Sequence, residues 1–190
     1  HDTTRLKETI GQTEEKLALQ ELEEAISLLN ARARNAATAL MAWDEARQQL
    51  EDPMYYGYWR NSRALSAGVI PETLDAVDLY DLEGKNLTTA HSGEATMPLK
   101  INVKDPQPFL EHQDRHDHLY YFYPFYQSLD QVHLLGYMGL KFDLQEELAR
   151  LRRFRYLDLK SLSIKASEGQ HIPLDKLVSA LQFKTVDNPE

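Results

Sequence analysis

Val77-Asp78-Leu79-Tyr80-Asp81-Leu82-Glu83-Gly84-Lys85-Asn86-Leu87 decides how the rest of the chain is read. Val77 and Leu79 alternate with Asp78 and Tyr80, the period of a half-buried strand. Asp81 to Lys85 then reads as a tight turn. Gly84 supplies a positive φ at little cost, and the Asp81 carboxylate bonds the backbone ahead of it. Leu87 and Thr89 open a second strand. A hairpin of this form, after a long helical stretch and before further strands, predicts a small antiparallel sheet with helices on one side.

Upstream, residues 3–50 read as helix. Leu6, Ile10, Leu17, Leu22, Ile26, Leu29, Ala33, Ala36 and Leu40 fall mostly three and four apart, one apolar stripe at a period near 3.6. Thr3 or Thr4 caps the start. A helix of about 45 residues is about 65–70 Å long, more than the diameter of a small domain. Two arrangements satisfy that length: two helices with a bend near Asn35, or a stalk that dimerises near its N-terminus. Next come Trp43-Asp44 and, after Pro53, the crowded aromatics Tyr55, Tyr56, Tyr58 and Trp59 beside Arg60 and Arg63. Such residues line a small-molecule pocket or form the corner where the helix packs on the sheet.

Downstream, Leu99, Ile101 and Val103 alternate as a third strand, and Phe109-Leu110-Glu111 reads as a single turn after the break at Asp105-Pro106-Gln107-Pro108. His118 to Tyr126 and His133 to Phe142 read as antiparallel partners joined by the turn Ser128 to Gln131. Gly136 and Gly139 predict a bulge or a close backbone approach in the second of them. Asp143 precedes a helix over 144–154. Tyr156 to Ala166 reads as a strand whose apolar face switches between Leu159 and Leu162, and Pro173 begins a short helix. The expected domains are therefore a helical stalk over 1–52, a core over 53–154 and a strand-helix extension over 155–190.

The bulk properties narrow the partners. The 190 residues suffice for one sizeable core, with an ordinary 42% hydrophobic content. A net charge of −9 argues against a phosphate-neutralising face and so against nucleic acid. The basic cluster Arg150, Arg152, Arg153 and Arg155 ends a predicted helix, where cations suit the macrodipole. Zero cysteines excludes disulfides and thiolate metal sites and fits a periplasmic location. No apolar run reaches the roughly 18–20 residues of a membrane span. The chain opens directly into a charged helical pattern without a start Met or a signal peptide, which suggests a piece of a longer protein.

The order of these parts resembles the extracytoplasmic PAS-like sensor domains of bacterial membrane receptors, the Cache and CHASE groups. The parts are a helical stalk, an aromatic helix, a Tyr80-Asp81-Leu82-Glu83-Gly84-Lys85 hairpin, and a closing Gly136-Tyr137-Met138-Gly139-Leu140-Lys141-Phe142-Asp143 strand that leads into a helix. Trp43-Asp44 before the aromatic helix is most similar to the fourth CHASE subtype. The Trp43 to Arg60 text also looks like ectodomains attached to cyclic-di-GMP cyclases or phosphodiesterases. The resemblance covers about residues 1–154, and the 35 or so residues after it depart from the pattern.

It implies an α+β fold in which one long N-terminal helix, or two, packs on a small antiparallel PAS-like sheet with an added C-terminal strand and helix. It also implies a periplasmic sensor that binds a small molecule and forms a homodimer through the N-terminal helix. Membrane spans would lie outside this segment, and any catalysis would lie in a cytoplasmic output module. Pocket candidates follow from side-chain chemistry: Tyr56, Trp59 and Arg60 from the aromatic helix, and Asp78, Tyr80, Tyr121 and Tyr123 from strands. An Arg and an Asp bracketed by aromatics suit a zwitterion or a carboxylate.

One further cluster carries chemistry. In an extended segment His112, Asp114, His116 and His118 fall on one face, a donor set for zinc, nickel or copper. It makes a divalent-metal site, or a metallohydrolase, the alternative to the sensor, with a polar surface loop or a ligand-free dimerisation module as the plainer outcomes. No Gly-x-Ser-x-Gly elbow and no Gly-rich phosphate loop is present.

Overall fold

The structure is a computed structural model that describes residues 2–88, 97–113, 116–160, 163–164 and 184–185. The fold is α+β. Two compact units divide it: residues 1–31 with 144–183, and residues 32–143 with 184–190.

Helix α1 runs Asp2–Met41 and α2 Asp44–Glu51. The break falls at Ala42–Trp43, so of the two arrangements the uninterrupted helix forms and the bend near Asn35 does not. Trp43 takes an extended conformation there, at φ −81° and ψ 116°. Asp44 and Glu45 then place acidic charge at the positive end of α2. Residues 53–66 form a further helical segment, α3, of mixed winding. Pro53–Tyr55 is a 3₁₀ turn that Asp52 caps by accepting from the Met54 N–H, and Trp59–Arg63 is a π turn. Helix α4 is Leu144–Leu151.

Strands β1 (Ala76–Tyr80), β2 (Phe109–Gln113), β3 (His116–Tyr126), β4 (Leu134–Asp143) and β7 (Lys184–Thr185) form a sheet in the order β1-β4-β3-β2-β7. The first four are antiparallel neighbours, and β7 runs parallel to β2. Strands β5 (Leu157–Asp158) and β6 (Ser163–Ile164) pair separately.

The turn after β1 forms as the sequence requires. Gly84 has φ +84°, and the Asp81 carboxylate accepts from the Glu83 and Lys85 N–H groups at 2.8 and 2.9 Å. The hairpin itself differs from expectation. Among the described residues only Tyr80 and Asn86 bridge across the turn, and residues 87–88 turn helical at once. The main partner of β1 is β4. The expected third strand over 99–103 is reduced to a bridge between Lys85 and Lys100. The Phe109–Glu111 segment, expected as a single turn, is strand β2: its backbone completes the ladder of the long strand β3, which local propensity does not reveal.

The single strand expected over 156–166 is instead two short ones, Leu157–Asp158 and Ser163–Ile164, paired antiparallel. The expected loop at Ser92–Glu94 and the expected helix from Pro173 lie outside the described residues.

One face of the sheet carries the aromatic cluster Tyr80, Tyr120, Phe122 and Tyr137, closed by Met97 and Ile101. Gly139 permits this packing, since a Cβ there would lie 2.9 Å from Met97 Cε and from Tyr80 Cε2. Gly136 lies against the Tyr80 carbonyl oxygen. Both are close approaches, as read from the sequence. The expected bulge is there too: Phe125 is registered with Gly136 and Tyr126 with Leu134, so Leu135, next to Gly136 in β4, is the extra residue.

Candidate functional site

Asp78 is the centre of the site. It sits in β1, an edge strand of the sheet, and is fully buried. Isolated, such a carboxylate would be costly, so its lone pairs must be satisfied. Oδ1 accepts from Tyr56 Oη at 2.6 Å, from Arg60 Nε at 2.6 Å and from Thr88 Oγ1 at 2.9 Å. Oδ2 accepts from Asn86 Nδ2 at 3.1 Å and from an Arg60 terminal nitrogen at 3.4 Å. The Arg60 side chain keeps 17% of its exposure, so the pair is buried on the carboxylate side and open on the guanidinium side.

The same group closes the sheet edge. The Leu79 N–H donates to Tyr56 Oη at 3.0 Å, so a phenol stands where a further strand would pair. Burial raises the Tyr56 phenol well above its ordinary pKa, and the Asp78 charge adds to the rise. The π turn brings both Trp59 and Arg60 into this corner; such turns are frequent at functional sites. Trp59 lies 5.3 Å from Trp43 and 5.9 Å from Tyr56, centroid to centroid. Its indole N–H is buried and makes no hydrogen bond. Around these rings is a cavity of about 20 Å³, lined in part by Leu40, Trp43, Tyr56 and Trp59. That volume suits one water, not an organic ligand.

Of the seven pocket candidates, four therefore come together: Tyr56, Trp59, Arg60 and Asp78. Tyr80 lies one strand position from Leu79, but its hydroxyl donates to the Pro98 carbonyl at 2.7 Å and its ring meets Phe122 edge-on. Tyr121 and Tyr123 stand apart. Strand register puts them on the opposite face from Tyr80 and Phe122, stacked at 6.3 Å, with Arg34 over Tyr123. Desolvation raises both phenols, Tyr123 to about 12. The expected pocket of aromatics around an Arg–Asp pair is thus a filled junction. Sequence reasoning missed Asn86 and Thr88, whose residue types are ordinary for a chain leaving a turn.

The histidine cluster is rearranged by a strand reversal. His112 belongs to β2, while His116 and His118 belong to β3. His112 is registered with Asp117, whereas Gln113 and Glu111 are registered with His116 and His118. Cross-strand partners share a face, so His112 lies on the opposite face from the other two histidines. Each imidazole has its own carboxylate. His112 Nδ1 is 2.8 Å from Asp117, His116 Nδ1 is 3.3 Å from Asp143, and His118 Nδ1 is 3.5 Å from Asp75. Asp114 lies outside the described residues. Among the described residues no three His, Asp or Glu side chains are grouped to hold a metal ion.

Comparison of the chain with protein-family models, with characterised proteins and with solved structures finds no match.

Proposed function

We propose that this chain is a sensory domain: the periplasmic input part of a membrane signalling protein. It binds a small molecule and passes a change in a dimer formed through α1 to an output module such as a diguanylate cyclase or phosphodiesterase. The supporting observation is the Asp78 junction. One buried carboxylate joins the aromatic helical segment (Tyr56, Arg60), the edge strand and the chain leaving it (Asn86, Thr88). A charge pair is a poor way to gain net stability but an effective way to specify one arrangement against another. Opening on the Arg60 side gives the junction a route to exchange partners. No helix among the described residues is long and apolar enough to cross a membrane, so anchoring is assigned to segments other than these.

A sensor must bind its ligand better in one state than in the other. The test is thermal melting of the metal-stripped chain against amino acids, carboxylates, amides, polyamines and divalent metals. A ligand at about 100 times its dissociation constant adds roughly 2.7 kcal/mol. A shift of several degrees with one organic class supports the reading. A shift with zinc or nickel alone, or with nothing, overturns it.

A further inference from the structure

The junction around Asp78 has no room for an organic ligand, but a hollow elsewhere in the same unit has. A cavity of about 330 Å³ lies between the last turn of α1, α2 and the turn joining β3 to β4. That is within the usual range for small-molecule sites. Its walls are mainly apolar: Met41, Ala42, Pro124, Phe125 and Leu129. Leu129 stands at the mouth and is 99% exposed, an unfavourable place for an isobutyl group unless something covers it.

Two local irregularities shape the hollow. The β3–β4 ladder shifts register opposite Phe125 and Tyr126, where Leu135 of β4 is the extra residue, and bulges of this kind re-aim side chains next to sites. Gln131, also on the wall, has φ +56°, the single non-glycine residue at positive φ among the described residues. Its N–H donates to the Ser128 carbonyl at 3.2 Å, which closes the turn at the edge of the hollow.

The charge balance selects the ligand. Arg47 is the cation on the wall. Its guanidinium already lies 2.7 Å from Asp44 and 3.9 Å from Glu51, so another anion would meet two carboxylates. One terminal nitrogen donates to the Gln127 carbonyl at 3.5 Å, a long bond that a better acceptor displaces. An ammonium placed where the Gln127 carbonyl now accepts would set donor against donor, since a guanidinium accepts no hydrogen bond.

We infer that this hollow is the ligand site, and that it takes an uncharged molecule with an apolar body and a carbonyl-type acceptor directed at Arg47. The inference rests on the sensory reading above and gives it a place and a chemical class. The hollow also adjoins the turn where α1 ends and α2 begins, so a molecule seated there bears on the last turn of α1.

The experiment is calorimetric titration of the intact chain with octanamide, octanoate and octylamine, three heads on one tail. Octanamide should bind one to one, with the two charged homologues at least tenfold weaker. Ala42→Trp, which fills the hollow, should abolish binding, and Arg47→Gln should weaken it about tenfold. Circular dichroism checks that each variant is folded. Loss of an exposed ion pair should leave the Arg47→Gln fold intact.

No octanamide binding, tighter binding of either charged homologue, or binding unaffected by both variants overturns the site. If that happens while another compound shifts the melting, the sensory reading stands with a different pocket. If octanamide binds as stated but leaves the association of the chain unchanged, the site stands and the sensory reading falls.

Discussion

Replacing Asp78 with Ala removes the acceptor of five hydrogen bonds from four side chains. The donors do not suffer equally. Asn86 keeps a contact to the Pro98 carbonyl at 3.3 Å, and Arg60 keeps Asn61 at 3.0 Å and an open path to water. The Thr88 hydroxyl and the Tyr56 O–H lose their acceptor in a buried setting. Each stranded donor costs about 1–3 kcal/mol, and breaking a buried ion pair costs about 3–5 kcal/mol in all, so Asp78→Ala should destabilise by about 3–5 kcal/mol. Arg60→Met leaves the carboxylate with three neutral donors and should cost about 2–3 kcal/mol, less because Arg60 is partly solvated.

The two effects act through one contact, so the double variant should fall short of their sum by more than about 1 kcal/mol. Urea unfolding read by tryptophan fluorescence measures all three. Both tryptophans of the chain, Trp43 and Trp59, lie in the unit that contains the junction. A loss below about 1 kcal/mol for Asp78→Ala, or additivity within about 0.5 kcal/mol, would refute the argument that this carboxylate ties helix to sheet.

Alkaline pH should unfold the chain through its buried phenols. Tyr56, Tyr80, Tyr120, Tyr121 and Tyr123 are all raised, chiefly by desolvation, so the folded state holds protons that the unfolded state releases above about pH 10. The phenols' contribution to stability should be constant below about pH 9 and fall as pH rises through the unfolded phenol value, with phenolate absorbance appearing together with unfolding. Gly139→Ala presses on the Met97 methyl and on the ring edges of the buried Tyr80 and Phe122 and should cost about 1–3 kcal/mol. Gly136→Ala meets the Tyr80 backbone and should lower the urea midpoint further. In the other unit, Glu21 accepts from the Arg155 and Tyr156 N–H groups at 2.9 and 3.1 Å. Glu21→Ala should therefore accelerate hydrogen exchange at those two amides and cost about 2 kcal/mol.

What could be read from the residues was what local chemistry determines. Asp81 and Gly84 announce their turn, because one bonds the backbone ahead and the other takes positive φ. The alternation through β3 and β4 is long enough to reveal both strands. Strand β2 was hidden because Phe109–Gln113 is short and prolines precede it; it is a strand because β3 offers a ladder. For the same reason the face on which His112 lies could not be read. A reversal between 113 and 116 inverts the parity that a single extended segment would keep. At the site, Arg60, Tyr56 and Asp78 were legible as charged and aromatic side chains. Their mutual satisfaction was not, since Asn86 and Thr88 enter only through the folded turn. The hollow between α1, α2 and the β3–β4 turn has no local signature, because its walls come from three separate stretches.

The most direct test of the sensory account is a distance across the dimer. The chain has no cysteine, so Ser27→Cys, an exposed position on α1, accepts a single spin label. Pulsed dipolar spectroscopy on the intact chain, without compound and with saturating octanamide or the compound that shifts the melting, reads the spacing between copies. The account predicts an intermolecular distance that moves between two populations when the compound binds. A chain that stays monomeric, or a distance distribution that a bound compound leaves unchanged, would contradict it.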